Sequence, residues 1–183
     1  AATIIEFDGK LNNVPVSDLS RYWPKALGQP AHKWIVENLS DGILDFVKAK
    51  SRLEISKHGE PRVESMEGSM KVRGLSVDYL RPMPQGKNVS ADIQFDHKAM
   101  SITLTKGQVG DLKLNKGRVV LSGLNEVDQY ADVKLTMGGT VRSTLAFIDH
   151  KPLGFKSELG IDPKNTKGKA QTDLSLKFIV ENA

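Results

Sequence analysis

The chain of 183 residues has no cysteine, which removes a disulfide framework, a thiolate nucleophile and any cysteine-based zinc site. Aromatic residues make up only 6%. None lies within the densest basic run, Lys164 to Lys169, so a solvated turn is a better reading of that run than a nucleic-acid surface, which pairs basic groups with stacking rings. No apolar stretch approaches the ~20 residues that cross a bilayer, and the N-terminus lacks a signal-peptide pattern.

The patterns that carry chemistry are missing too. His32, His58, His97 and His150 are far apart in sequence, with no His-x-His or His-x-x-x-His spacing. There is no Gly-x-Ser-x-Gly elbow. Gly168-Lys169 matches the end of a phosphate loop, but Ala170 stands where a hydroxyl is needed and Pro163 where the first glycine belongs. Acidic residues are scattered, several in outward strand positions, and offer no carboxylate pair. The expectation is a protein with no catalytic residues, no metal site, no cofactor and no nucleic-acid partner.

What the chain does have is alternation. Charged residues at 26% and apolar residues at 39% suit a folded globular chain, and the net charge of +4 is spread along it. From Gly42 to Ser56 the apolar residues Ile43, Val47, Ala49, Leu53 and Ile55 take odd positions, and Lys48, Lys50, Arg52 and Glu54 take even ones. From Lys169 to Val180 the alternation is cleaner, with Ala170, Thr172, Leu174, Leu176, Phe178 and Val180 on one side. Between these lie strand-like segments Val63–Leu80, Ala91–Asp96, Met100–Lys106, Gln108–Asn115, Arg118–Leu124 and Tyr130–Met137, each bounded by Gly, Pro, Asn or Asp. Met66, Met70 and Val72 share one parity while Leu75, Val77 and Tyr79 share the other, which marks Gly74 as a bulge.

Two segments follow helical spacing instead. Pro30 fits a first turn, Ala31, Trp34, Ile35 and Leu39 form an apolar stripe, and Gly42 is the expected terminator. Thr140 is the expected cap of a second helix with stripe Val141, Leu145 and Ile148, stopped by Pro152. The fold class expected is mainly β, α+β by element count: a long, curved, largely antiparallel sheet with two short helices packed at its face or end. A twelve-residue strand is ~40 Å long and about eight neighbours span ~38 Å, whereas a ten-residue helix is ~15 Å long. Two such helices cannot cover that sheet, so it must curl, pack on another sheet or offer an apolar concavity. Ala2–Phe7 and Phe178–Val180 are strand-like almost to the last residue. This reads as one β-rich segment, residues 1–183, of a larger chain whose sheet continues on both sides.

Both tryptophans fall in one stretch. Tyr22, Trp23 and Trp34 are expected in the core, because Trp rings bring large buried area and need one hydrogen-bond acceptor. Arg21-Tyr22-Trp23-Pro24, followed by Trp34-Ile35-Val36-Glu37-Asn38-Leu39-Ser40-Asp41-Gly42, resembles a segment of bacterial AsmA-like proteins of the YhdP type. The resemblance continues through Gly74-Leu75-Ser76-Val77-Asp78-Tyr79-Leu80 with Pro82 and Pro84, Gly117-Arg118-Val119-Val120, Pro152-Leu153-Gly154, Leu159-Gly160-Ile161-Asp162-Pro163 and Gly168-Lys169-Ala170. It covers nearly the whole chain.

The resemblance implies a piece of a larger envelope protein that lies in the periplasm and is anchored in the inner membrane by a segment outside this sequence. It further implies curled β-sheets whose apolar groove carries phospholipid tails between membranes, and it brings no catalytic residue. The liners expected for such a groove are Ile43, Val47, Leu53, Ile55, Met66, Met70, Leu174, Leu176 and Phe178. The partners expected are phospholipid acyl chains and adjoining segments of the parent chain. A closed protein core built from the same residues stands beside this reading, as does an interaction module that supports outer-membrane biogenesis through protein contacts.

Overall fold

A computed structural model of the chain describes residues 3–23, 29–56, 61–155 and 160–180. Ala2, Pro24, His58 and Leu159, singled out from the sequence, lie outside the described residues, as does the side chain of Ala31.

Eight strands form one antiparallel sheet in sequence order: β1 (Thr3–Pro15), β2 (Leu39–Ile55), β3 (Arg62–Val77), β4 (Gly86–Asp96), β5 (Ala99–Val109), β6 (Leu112–Ser122), β7 (Gln129–Thr140) and β8 (Lys169–Val180). The sheet is open and curved, so the mainly β class read from alternation holds. One strand needs correction. Gln108–Asn115 is not a single strand, because the chain reverses at Gly110, whose φ of 55° suits a tight turn, and its halves belong to β5 and β6. Among the described residues the short α-helices are α1 (Leu19–Tyr22), α2 (Gln29–Asn38) and α3 (Val141–Asp149), one more than the helical spacing predicts.

In an antiparallel meander, alternate connections fall on the same margin of the sheet. The links β1–β2, β3–β4, β5–β6 and β7–β8 share one margin, and these include all three helices. At the other margin the β4–β5 turn is held by Asp96 Oδ1, which accepts the N–H groups of Lys98 and Ala99 at 2.7 and 2.8 Å.

Thr140 caps α3 as expected, its Oγ1 accepting Ser143 N–H at 3.0 Å. The helical residue pressed into the core is Phe147, which the expected stripe of Val141, Leu145 and Ile148 passes beside. Helix α2 ends at Asn38, and Gly42, expected to terminate it, lies within β2.

The curvature has a local cause. One row of facing residues crosses the sheet from Val14 through Leu44, Val72, Ala91, Leu104, Gly117 and Leu135 to Leu174. Within three residues of that row stand Asn13 (φ 53°), Asn88 (φ 51°) and Gly74 (φ 68°), together with register shifts at Leu44/Phe46, Val72/Leu75, Lys87/Ser90 and Leu114/Lys116. Such irregularities bend strands and raise their twist. Here they form a crease parallel to the helical margin.

The core lies along this crease. One cluster joins Val14, Val16, Leu44, Val72, Leu75, Val89 and Ala91. The other joins Met83, Leu112, Met137 and Phe147, with Tyr79, Leu80 and Leu153 packed on it.

Candidate functional site: an apolar trough across the sheet

Directly opposed residues in an antiparallel pair share a face, so the register defines rows that run across the strands. Beside the crease row runs a second: Leu11, Val47, Met70, Ile93, Ile102, Val119, Val133 and Leu176. A third follows: Gly9, Ala49, Gly68, Phe95, Met100, Leu121, Ala131 and Phe178. All three are apolar at every strand and extend from the free edge of β1 to that of β8. Seven inter-strand steps make each row about 34 Å long. The reverse face carries Asn12, Phe46, Lys71, Asp92, Thr103, Arg118, Lys134 and Ser175 in the row between.

Burial falls away from the helical margin. Leu44, Val72 and Ala91 in the crease row are each 3% exposed, under cover from Val16 and Leu19. In the second row Val47, Met70, Ile93, Ile102, Val119, Val133 and Leu176 are only half-buried, and Leu11 at the edge is 37% exposed. Among the described residues the second and third rows keep partial contact with solvent, Ala131 at 3% exposed being the exception in the third, and they form the floor of an apolar trough on the open sheet. The floor is levelled at Gly68, where the Phe95 ring lies so close that a Cβ would overlap it.

The expected liners divide. Val47, Met70 and Leu176 lie in the second row, Phe178 in the third and Leu174 in the crease row. Met66, Leu53 and Ile55 extend the same face toward the open margin, where Leu53 faces Ile5 and Val63. Ile43 lies on the reverse face opposite Arg73, because the irregularity at Asp45 switches parity and puts Leu44 beside Val47. Most of the trough comes from strands not expected to line it: Ile93, Ile102, Val119 and Val133 were visible only as alternation within β4 to β7.

The aromatic cluster also differs from expectation. Tyr22 is 55% and Trp34 38% exposed, while Trp23 is half-buried, its ring centroid 5.6 Å from that of His32. Helix α2 lies at the sheet margin, which leaves one of its sides in solvent. Among the described residues three shielded polar atoms lack a hydrogen-bond partner: Trp23 Nε1, His32 Nε2 and Tyr79 Oη. Burial pushes the Tyr79 phenol up to about 12. Among the described residues no group of three or more His, Asp or Glu side chains could hold a metal ion, and no helix is long and apolar enough to cross a membrane.

A family model described as YhdP protein matches residues 1–183, the full length of the sequence. No curated protein and no solved structure matches the chain.

Proposed function

The chain belongs to the YhdP family, a bacterial envelope family, and we propose that its trough carries phospholipid acyl chains along a periplasmic path between inner and outer membranes. The observation that supports this is the second row, eight apolar side chains from Leu11 to Leu176 with no polar interruption, all but Leu11 half-buried. Hydrocarbon needs a continuous apolar track and no specific side chain. Full burial of a methylene gains about 0.8 kcal/mol. Ten methylenes on an open floor that hides half of each would gain on the order of 4 kcal/mol before ordering costs. In this reading the protein acts without chemistry, and an anchor outside this sequence holds the parent in the inner membrane.

Mass spectrometry of the purified chain for co-purifying phospholipid tests the proposal, with Leu176→Glu placing a charge on the floor. Lipid bound to the parent sequence and lost from the variant supports the trough. Equal lipid in both contradicts it.

A second reading, an interaction module acting through protein contacts in outer-membrane biogenesis, is favoured by the outward-facing Tyr22 and Trp34. Absence of lipid, together with tight binding of an envelope protein that Trp34→Ala abolishes, supports that reading instead.

A further inference from the structure

The reverse face of the sheet carries charges, and most are matched across strands. Asp8 faces Lys50, Glu6 faces Arg52, Lys71 faces Asp92 and Asp132 faces Lys177, with nitrogen–oxygen distances of 3.8, 2.6, 3.8 and 3.4 Å. Two like-charged pairs are relieved locally. Lys10, opposite Lys48, lies over the Phe46 ring at 5.8 Å. Glu67, opposite Asp96, also faces Lys50, and Asp96 accepts its two backbone N–H groups.

Arg118 and Lys134 break this rule. They face each other directly across β6 and β7, and Lys116 stands two residues along β6 beside them. Among the described residues no ion pair or hydrogen bond reaches the side chain of any of the three. Like charges directly opposed destabilise an antiparallel pair. Of the acids nearby, Asp132 pairs with Lys177, while Asp173 stays beside the cations, its Oδ1 accepting the Thr136 hydroxyl at 2.6 Å, and one carboxylate leaves the three cations in excess.

The three cations border a shallow open depression of about 510 Å³, also lined by Thr103, Thr136, Asp173 and Ser175, with the chain at Leu135 and Leu174 of the crease row between them. Thr103 faces Arg118 and Ser175 faces Lys134, so hydroxyl donors flank the cations. A single carboxylate has too few oxygens and too little charge to answer three cations and two hydroxyls. A phosphate group has both, and accepts charge-assisted hydrogen bonds from arginine and lysine.

We propose that this patch on β6 and β7 is a binding site for a phosphate-bearing anion, separate from the trough on the opposite face. The test titrates inorganic pyrophosphate into the whole chain, with affinity read by calorimetry and position by amide shifts, against Arg118→Thr and Lys134→Thr. Either substitution is expected to weaken binding at least tenfold. Each should raise the thermal midpoint without anion, because the like-charge contact is gone. Leu176→Glu should leave pyrophosphate affinity unchanged, which separates this site from the trough.

Vesicles of phosphatidylcholine with and without phosphatidylglycerol identify the source. Anion-dependent vesicle binding lost in Lys134→Thr marks a lipid headgroup. Pyrophosphate binding without vesicle binding marks a soluble phosphate. Pyrophosphate affinity unchanged by both substitutions, or shifts elsewhere than β6 and β7, overturns the proposal.

Discussion

Gly42 of β2 and Gly74 of β3 sit opposite each other, between the pairs Asp41–Leu75 and Ile43–Arg73, and both adopt left-handed backbone with φ of 78° and 68°. A Cβ on Gly42 would stand 3.0 Å from the Arg73 carbonyl oxygen and from Leu75 Cα, whereas one on Gly74 would meet nothing nearer than Gly42 Cα at 3.9 Å. The left-handed region costs a residue with a side chain about 1–2 kcal/mol. Gly74→Ala should therefore lose about that amount, and Gly42→Ala distinctly more because backbone must shift as well. Urea unfolding of both variants checks the order.

Truncations should separate the covered crease from the open floor. Leu112 is 1% exposed, and Leu112→Ala should cost about 2–5 kcal/mol. Leu176 is half-buried on the floor, so Leu176→Ala should cost less than half as much. Equal losses in denaturant unfolding would mean that the floor is covered.

The orphan hydroxyl of Tyr79 gives a prediction at high pH. Its folded pKa is raised from 10.0 to about 12 by burial, so the stability due to the protonated phenol is complete below pH 10 and lost as pH rises through 12. Tyr79→Phe should remove this alkaline loss. It should also be neutral or stabilising near pH 7, since it deletes a shielded hydroxyl without a partner. Unfolding midpoints of both proteins between pH 7 and 12 provide the comparison.

Asp96 predicts the opposite slope in acid. The N–H groups of Lys98 and then Ala99 hold its carboxyl below the ordinary 3.8. Its contribution is present above pH 3.8 and lost as pH falls through the lower folded value. Asp96→Asn should flatten the acid limb of stability against pH, as measured by unfolding midpoints from pH 6 to pH 2.

Much of the sheet was legible because one wet and one apolar face impose a period of two, and β8 occupies the same residues that alternation picked out. Gly74 was readable as a bulge because parity changes across it, and Thr140 as a cap because a hydroxyl precedes the helical spacing. The Ile43–Leu44 exchange was not. The irregularity there falls at Asp45, with no glycine at that position to mark it, and Ile43 and Leu44 are both aliphatic. The turn at Gly110 and Asp111 was missed although parity changes across it as at Gly74, since Val109 is odd and Leu112 and Leu114 are even, because strand-like residues on both sides close up without a longer polar break. Tyr22 and Trp34 escaped because side-chain type favours burial, while position at a sheet margin decides it. The trough itself depends on register among all eight strands, which no single strand's pattern carries.

The most direct test of the trough places a photoreactive side chain at Ile102, in the middle of the second row, or at adjacent Thr103 on the reverse face. Each protein is irradiated with phospholipid and the products are resolved by mass spectrometry. Crosslinking to acyl chain from position 102 and none from 103 is the predicted result. Equal crosslinking from both positions, or none from 102, would contradict an acyl-chain track on this face.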